Sequence, residues 1–397
     1  EPQSCVLHFP SLCIMATHPT SRGLFLVFGS RCCKCSSNCF EVMMADATSA
    51  SHHMSAPNLF AVFVLANALG SFSQSVKSCI IADASAGLHD GVCNGISYQY
   101  NVPKQCVAAT SNAICGVIAD VHGWTMNADI QDENTGTRAL GEQYGFIVVQ
   151  PTAKLYSGKL PIPLPLPAVP LRSWQHEDYP NVWEIVLAAR NEARWNIDPA
   201  RVHFMGFSQG SEMTWHMLAT YGHEIASAVP MSCAAANPTL VAQVAKKVPI
   251  LYSHGYNDGL CDFRNGNATA EALKKQWNME SGIVVSHDAH HVRTSYAGQD
   301  GQILETLFWD YDTEPSICGF VYERIGRGHC FPGGGSTKCF EFEGLRYKAR
   351  TSLPEKLATF SCPADPSKAA FSIGKEAVQW FLKHRKRMRP SKDVIIV

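Results

Sequence analysis

Charge is scarce in this chain. Only 17% of its 397 residues are Asp, Glu, Lys or Arg, and the two signs nearly cancel to a formal net charge of −1. That balance argues against nucleic acid or an anionic membrane surface as a partner. The basic cluster Lys383, Arg385, Lys386, Arg387 and Arg389 reads as a solvated end. An apolar run long enough to cross a bilayer is also missing: Leu59 to Gly70 is twelve residues, whereas a spanning helix needs about 20. Metal-ligand spacing is lacking too. Cys32, Cys33, Cys35 and Cys39 have no second ligand pair at a familiar interval, so neither a metal nor another cofactor is expected.

What the chain has in quantity is apolar residues and cysteine. Its 46% hydrophobic content suffices for one large core. The 16 cysteines divide unevenly, with six in residues 1–53, a region of little periodicity that is expected not to fold or to be a gene-model artefact. Met54-Ser55-Ala56-Pro57-Asn58, the twelve-residue apolar run and the small residues Ser71 and Ser73 have the layout of a secretory signal peptide, assigned to 54–75. A catalytic domain then occupies 76–389, followed by a tail at 390–397. The ten cysteines after residue 75 are an even number in a presumed extracellular chain and read as disulfides. Asn267-Ala268-Thr269 is an acceptor pattern for N-glycosylation.

The organising stretch is Arg201 to Met217. A β-prone run, Arg201 to Met205, meets Gly206-Phe207-Ser208-Gln209-Gly210, and a helix-prone stretch follows from Ser211 to Tyr221. The spacing G-x-S-x-G between strand and helix is that of a nucleophile elbow, in which a sharp turn lifts the serine hydroxyl clear of the sheet. Around it, strands are expected at Ile96–Val102, Cys115–Val121, Phe146–Val149, Ala226–Met231, Val248–Ser253 and Gly319–Ile325. Helices are expected in the second half of 127–144 and at Val182–Trp195, Thr239–Lys247, Thr269–Trp277 and Ser372–Arg385. Such alternation is the pattern of an α/β fold with a mostly parallel central sheet and helices on both faces, with ligands gathering at the carboxyl ends of the strands. Pro161, Pro163, Pro165, Pro167 and Pro170 cannot build a central strand and read as an extended insertion, a candidate lip beside the site or a passive linker.

A serine nucleophile needs a base, and the base needs an acid to hold its tautomer. His254-Gly255-Tyr256-Asn257-Asp258 sets a carboxylate just past a strand end, so Asp258 is the expected acid and Asp262 its alternative. The base is expected to be His329, set among Gly326, Gly328, Gly333 and Gly334 on a loop with little to pack against; His287, His290 and His291 are the alternatives. The oxyanion of a tetrahedral intermediate would be met by the N–H groups of Gln209 and Trp124, the latter in His122-Gly123-Trp124, with Asn127 supporting that loop. Trp174 and Phe331 are the candidate substrate contacts, and His176 and Tyr179 lie on the same stretch as Trp174.

On these residues the chain resembles the poly(3-hydroxybutyrate) depolymerase and feruloyl esterase family within the α/β-hydrolase fold. The resemblance runs from about Ile96 to Phe381. It rests on Val102-Pro103, Val121-His122-Gly123, Tyr144 to Val149, Ile197 to Val202 leading to the serine, His254 to Asp258, and Gly328 to Gly334. It implies Ser208, Asp258 and His329 as a triad and a secreted serine esterase acting through an acyl-enzyme. The substrate implied is a feruloyl, acetyl or polyhydroxyalkanoate ester, polysaccharide-linked or polymeric. Ser211 departs from the family's usual second glycine, and Phe331 stands where a Trp is frequent. The alternatives are a catalytically inactive binding protein or a serine peptidase of the same fold.

Overall fold

The computed structural model describes residues 6–9, 12–15, 25–27, 78–158, 169–245, 247–311, 328–334, 361–363 and 368–386. Outside these lie the assigned signal peptide at 54–75, most of the proline-rich insertion, the strand expected at 319–325 and the tail at 390–397. The chain divides into two compact units, Glu1–Ser75 and Val76–Val397. In the first, strands β1 (Val6–Phe9), β2 (Leu12–Met15) and β3 (Phe25–Val27) form a small antiparallel sheet.

The second unit is built on a ten-stranded sheet. Its strands are β4 (Gly87–Cys93), β5 (Ile96–Val102), β6 (Cys115–Val121), β7 (Phe146–Thr152), β10 (Ile197–Phe207), β11 (Ser227–Met231), β12 (Ile250–Gly255), β13 (Ile283–His287), β14 (His291–Ala297) and β15 (Ile303–Trp309), ordered β13-β14-β15-β12-β11-β10-β6-β7-β5-β4. The six strands from β15 to β7 run parallel, and the pairs at both edges are antiparallel. Buried strands of this kind are nearly apolar: every residue of β6 is buried, and Asp120, at 0% exposure, is its one charged side chain.

Alternate side chains of β10 feed two cores. Val202 and Phe204 join one with α3 (Tyr179–Arg190), α4 (Gln209–Tyr221), α5 (Pro238–Gln243) and α6 (Phe263–Gln276), while Met205 and Phe207 join the other with α7 (Ile373–Lys383). Helices α1 (Ala128–Thr135) and α2 (Thr137–Tyr144) pack on that second face through Ile130, Leu140 and Tyr144. The helix expected in the second half of 127–144 is α2; α1 precedes it, and the two are separated at Gly136, whose φ of 63° takes the left-handed conformation.

Other elements differ from the sequence reading. The long helix expected at Val182–Trp195 spans Tyr179–Arg190, because Pro180 suits a first helical turn and Trp195 instead bridges to Val107. Helix α6 begins six residues before its expected start, because Asp262 accepts from Arg264 N at 2.9 Å and caps it. The stretch read as irregular holds β13, β14 and β15. The proline-rich insertion leaves β8 (Leu155–Gly158) and returns into β9 (Val169–Arg172), an antiparallel pair separate from the main sheet. Pro170 sits within this two-stranded ribbon, where a missing N–H is tolerated. Two further short strands, β16 (Phe331–Pro332) and β17 (Ser361–Cys362), pair in parallel.

Candidate active site

Ser208 stands between β10 and α4 with φ 56° and ψ −119°, a conformation a non-glycine residue adopts only when its surroundings impose it. The surroundings are visible. A β-carbon on Gly206 would collide with the Gly210 carbonyl, and one on Gly210 with the Val121 carbonyl, so both flanking glycines are required by close backbone approach. Ser208 N donates to Met231 O at 2.8 Å, and its own carbonyl starts the helix by accepting from Glu212 N at 3.2 Å. Ser208 is half-buried, between the buried Phe207 and the half-buried Gln209.

Asp258 and His329, the residues expected as acid and base, are in contact. His329 Nδ1 donates to Asp258 Oδ2 at 2.8 Å, with His329 1% and Asp258 7% exposed. The Phe207 ring, next to Ser208 in sequence, packs 4.7 Å from the imidazole of His329. Asp258 Oδ1 accepts from Leu260 N at 2.9 Å and Cys261 N at 2.7 Å. Burial by itself would raise the Asp258 pKa, but the charge of His329 and the hydrogen bonds from His254 and His329 outweigh it and hold the carboxyl at about 2. Asp262 is occupied otherwise, as the exposed helix cap paired with Arg264. His290 pairs with Asp310 and His291 with Asp288, both at 2.9 Å, around the β13–β14 turn; these histidines and His287 on β13 are not joined to Asp258.

The loop expected on the oxyanion side is His122-Gly123-Trp124. His122 is fully buried; its Nε2 accepts from Ala153 N at 2.9 Å, so Nδ1 carries the hydrogen and donates to Gly123 O at 2.6 Å. Burial keeps this imidazole neutral, with a pKa of about 3. A β-carbon on Gly123 would lie 2.9 Å from Ser208 Cβ, so only glycine lets this loop pass over the serine. Trp124 follows it, half-buried, and Thr125 takes φ 64° while donating its N–H to Arg172 O at 2.8 Å. Asn127 caps α1 by accepting from Ile130 N at 2.9 Å, which anchors the loop's far end.

The two expected substrate contacts are corrected by burial. Trp174 is 3% exposed, and its indole N–H donates to His122 O at 2.9 Å; Phe331 is 1% exposed and packs 4.0 Å from Phe207. Trp174 belongs to the first core and also packs against the His122 ring, and Phe331 belongs to the second core. The side chain of Gln209 was not anticipated. Its Oε1 accepts from Trp174 N at 2.9 Å, and its Nε2 donates to Trp174 O at 3.0 Å and Ser173 Oγ at 3.1 Å, fastening the strand β9 exit to the elbow.

Four disulfides lie among the described residues: Cys79–Cys93, Cys106–Cys115, Cys233–Cys261 and Cys330–Cys362. The third closes on the Asp258 loop and the fourth begins at the residue after His329.

Set against known proteins, residues 179–297 match the family described as Phospholipase/Carboxylesterase. A bifunctional acetylxylan esterase/xylanase of Neocallimastix patriciarum is 23% identical over 54% of this chain, and the match covers 28% of that relative's length. Among solved structures, the acetyl xylan esterase from Aspergillus awamori aligns with a TM-score of 0.43 at 16% identity, covering 56% of this chain and 92% of that one. A thermostable esterase aligns with a TM-score of 0.42 at 13% identity over 75% of this chain and 63% of its own. The strand order, the elbow between β10 and α4 and the family match across that elbow make this an α/β-hydrolase fold.

Proposed function

We propose that the chain is a secreted serine carboxylic-ester hydrolase that works through an acyl-enzyme. The observation that carries the reading is the Asp258–His329 hydrogen bond at 2.8 Å beside a serine held at φ 56° on the turn into a helix. Ser208 Oγ attacks the ester carbonyl while His329 Nε2 takes its proton, and Asp258, ionised, stabilises the imidazolium that forms. The N–H groups of Gln209 and Trp124 meet the oxyanion, the first of them aided by its place at the start of α4. His329 returns the proton to the leaving alcohol, then draws one from the water that attacks the acyl-enzyme. The scheme requires neither metal nor cofactor. Extracellular location is supported by the disulfides beside the site, and the sequon at Asn267 on α6 fits the same compartment.

For substrate, the acetylxylan-esterase relative favours acetyl or feruloyl esters on a plant polysaccharide over a polyhydroxyalkanoate. The test is hydrolysis of p-nitrophenyl acetate by the wild type beside Ser208→Ala, followed by release of acetate from acetylated xylan and of hydroxybutyrate from its polyester. The expected result is activity lost by about 10⁴-fold or more in the variant, with acetate released from xylan and the polyester untouched. A folded wild type that neither hydrolyses the ester nor reacts with a fluorophosphonate at Ser208 overturns the reading in favour of a binding protein.

A further inference from the structure

Behind the Asp258–His329 pair lies a second, fully buried histidine that the mechanism above does not use. His254 sits near the end of β12, two residues after Tyr252, and both are 0% exposed. Its Nε2 lies 2.8 Å from Cys261 O and 3.2 Å from Asp258 Oδ2, the same carboxylate oxygen that His329 holds. Both of those partners are acceptors, so Nε2 must carry the hydrogen. Nδ1 is then a lone pair, and it accepts the Tyr252 hydroxyl at 2.6 Å. Burial first, and the Asp258 charge second, push the Tyr252 phenol well above its usual range, so it keeps the proton it donates. Gly266 on α6 lets the helix close over the pair, since a β-carbon there would strike both the Tyr252 hydroxyl and His254 Nδ1.

The donors thus run from Tyr252 to His254, whose single Nε2 hydrogen faces Cys261 O at 2.8 Å and, at 3.2 Å, the Asp258 Oδ2 that also accepts from His329. Two backbone N–H groups hold Oδ1 and His329 holds Oδ2, and His254 Nε2 adds a second donor at Oδ2 that further restrains rotation of the carboxylate. We propose that His254 is a positioning residue for the catalytic acid. Its Nε2 hydrogen fixes Asp258 Oδ2 where His329 Nδ1 meets it, and the Tyr252 hydroxyl locks the tautomer that makes this possible. The inference rests on the triad reading given above.

The test compares His254→Phe, His254→Gln and Tyr252→Phe, each alone and in an Asp258→Asn background, using p-nitrophenyl acetate. Active sites are titrated to completion with a fluorophosphonate so that kcat is counted per reactive serine. His254→Phe is expected to lower kcat per titrated site by about 10-fold or more with KM within about 2-fold. His254→Gln, whose amide nitrogen reaches the Nε2 position, is expected to recover most of that loss, and Tyr252→Phe to fall between. In the Asp258→Asn background His254→Phe should add nothing. A kcat per titrated site unchanged in His254→Phe and Tyr252→Phe, with only thermal stability reduced, overturns the proposal, as does an equal loss with and without Asp258. Failure of the wild type to label at Ser208 takes down the triad reading itself, a result distinct from either.

Discussion

Asp258 is where the electrostatics of the site converge, and its acidity carries a measurable cost in acid. Its folded pKa of about 2 lies below the ordinary 3.8, so the stability it contributes is full above pH ~4 and is lost as pH falls through about 2. The difference amounts to roughly 2 kcal/mol. His122 acts in a higher window: the unfolded imidazole takes a proton near 6.5 and the folded one only near 3, so stability also falls as pH drops through that range. Urea unfolding of the wild type should therefore weaken steadily from pH 7 downward. The gap between wild type and Asp258→Asn should stay constant to about pH 4 and narrow by roughly 2 kcal/mol by pH 2. In activity, Asp258→Asn should lose about 10⁴-fold in kcat on p-nitrophenyl acetate. The turn at Ser208 and the approach of Asp258 to His329 had sequence signals, since glycine surrounds Ser208 and His329 and a strand end precedes Ser208 and Asp258. Trp174 and Phe331 were misread because an aromatic residue near a motif looks the same in sequence whether it walls a site or faces into it. His254 had a signal that went unused: with Tyr252 it puts two polar groups on one face of a fully buried strand.

At the scale of elements, close approach governs the elbow. Gly210→Ala drives a methyl into the Val121 carbonyl, and the expected result is loss of soluble protein or of fluorophosphonate labelling, read by expression and by labelling of what remains. Asp120 is the other junction. Its carboxylate accepts from Gln131 at 2.6 Å, Thr135 at 2.9 Å, Thr137 at 2.7 Å and Gln150 at 3.0 Å, joining β6 to α1, α2 and β7. Asp120→Ala leaves four buried donors without that acceptor and is expected to cost about 3 kcal/mol or more in urea unfolding. The central parallel strands and α4 were readable from continuous apolar runs and the elbow itself. Strand β4 was missed although Asn94-Gly95 marks its hairpin with β5, because Leu88 and Val92 are exposed and its inward residues are few. Strands β13 to β15 were missed because His287, Asp288, His290 and His291 interrupt the alternation at their turn, and β13 is exposed along its whole length. The register of such edge strands comes from pairing partners distant in sequence, which no local pattern carries.

Across the whole molecule the sheet and the site are stabilised by different means. The sheet rests on two apolar cores, and the loops holding Asp258 and His329 are tied down in addition by Cys233–Cys261 and Cys330–Cys362. Replacing Cys330 and Cys362 by Ser should leave the far-UV circular dichroism near that of the wild type while lowering kcat by about 10-fold or more, since a small displacement of His329 is enough to spoil the proton transfer. Loss of the sheet signal together with activity would show instead that the bond supports the core. The separation matters for production of the protein. A bacterial cytosol, which keeps thiols reduced, is expected to yield material with a near-normal spectrum and a kcat lowered by about 10-fold or more, so yield and apparent folding are the wrong criteria by which to choose a host.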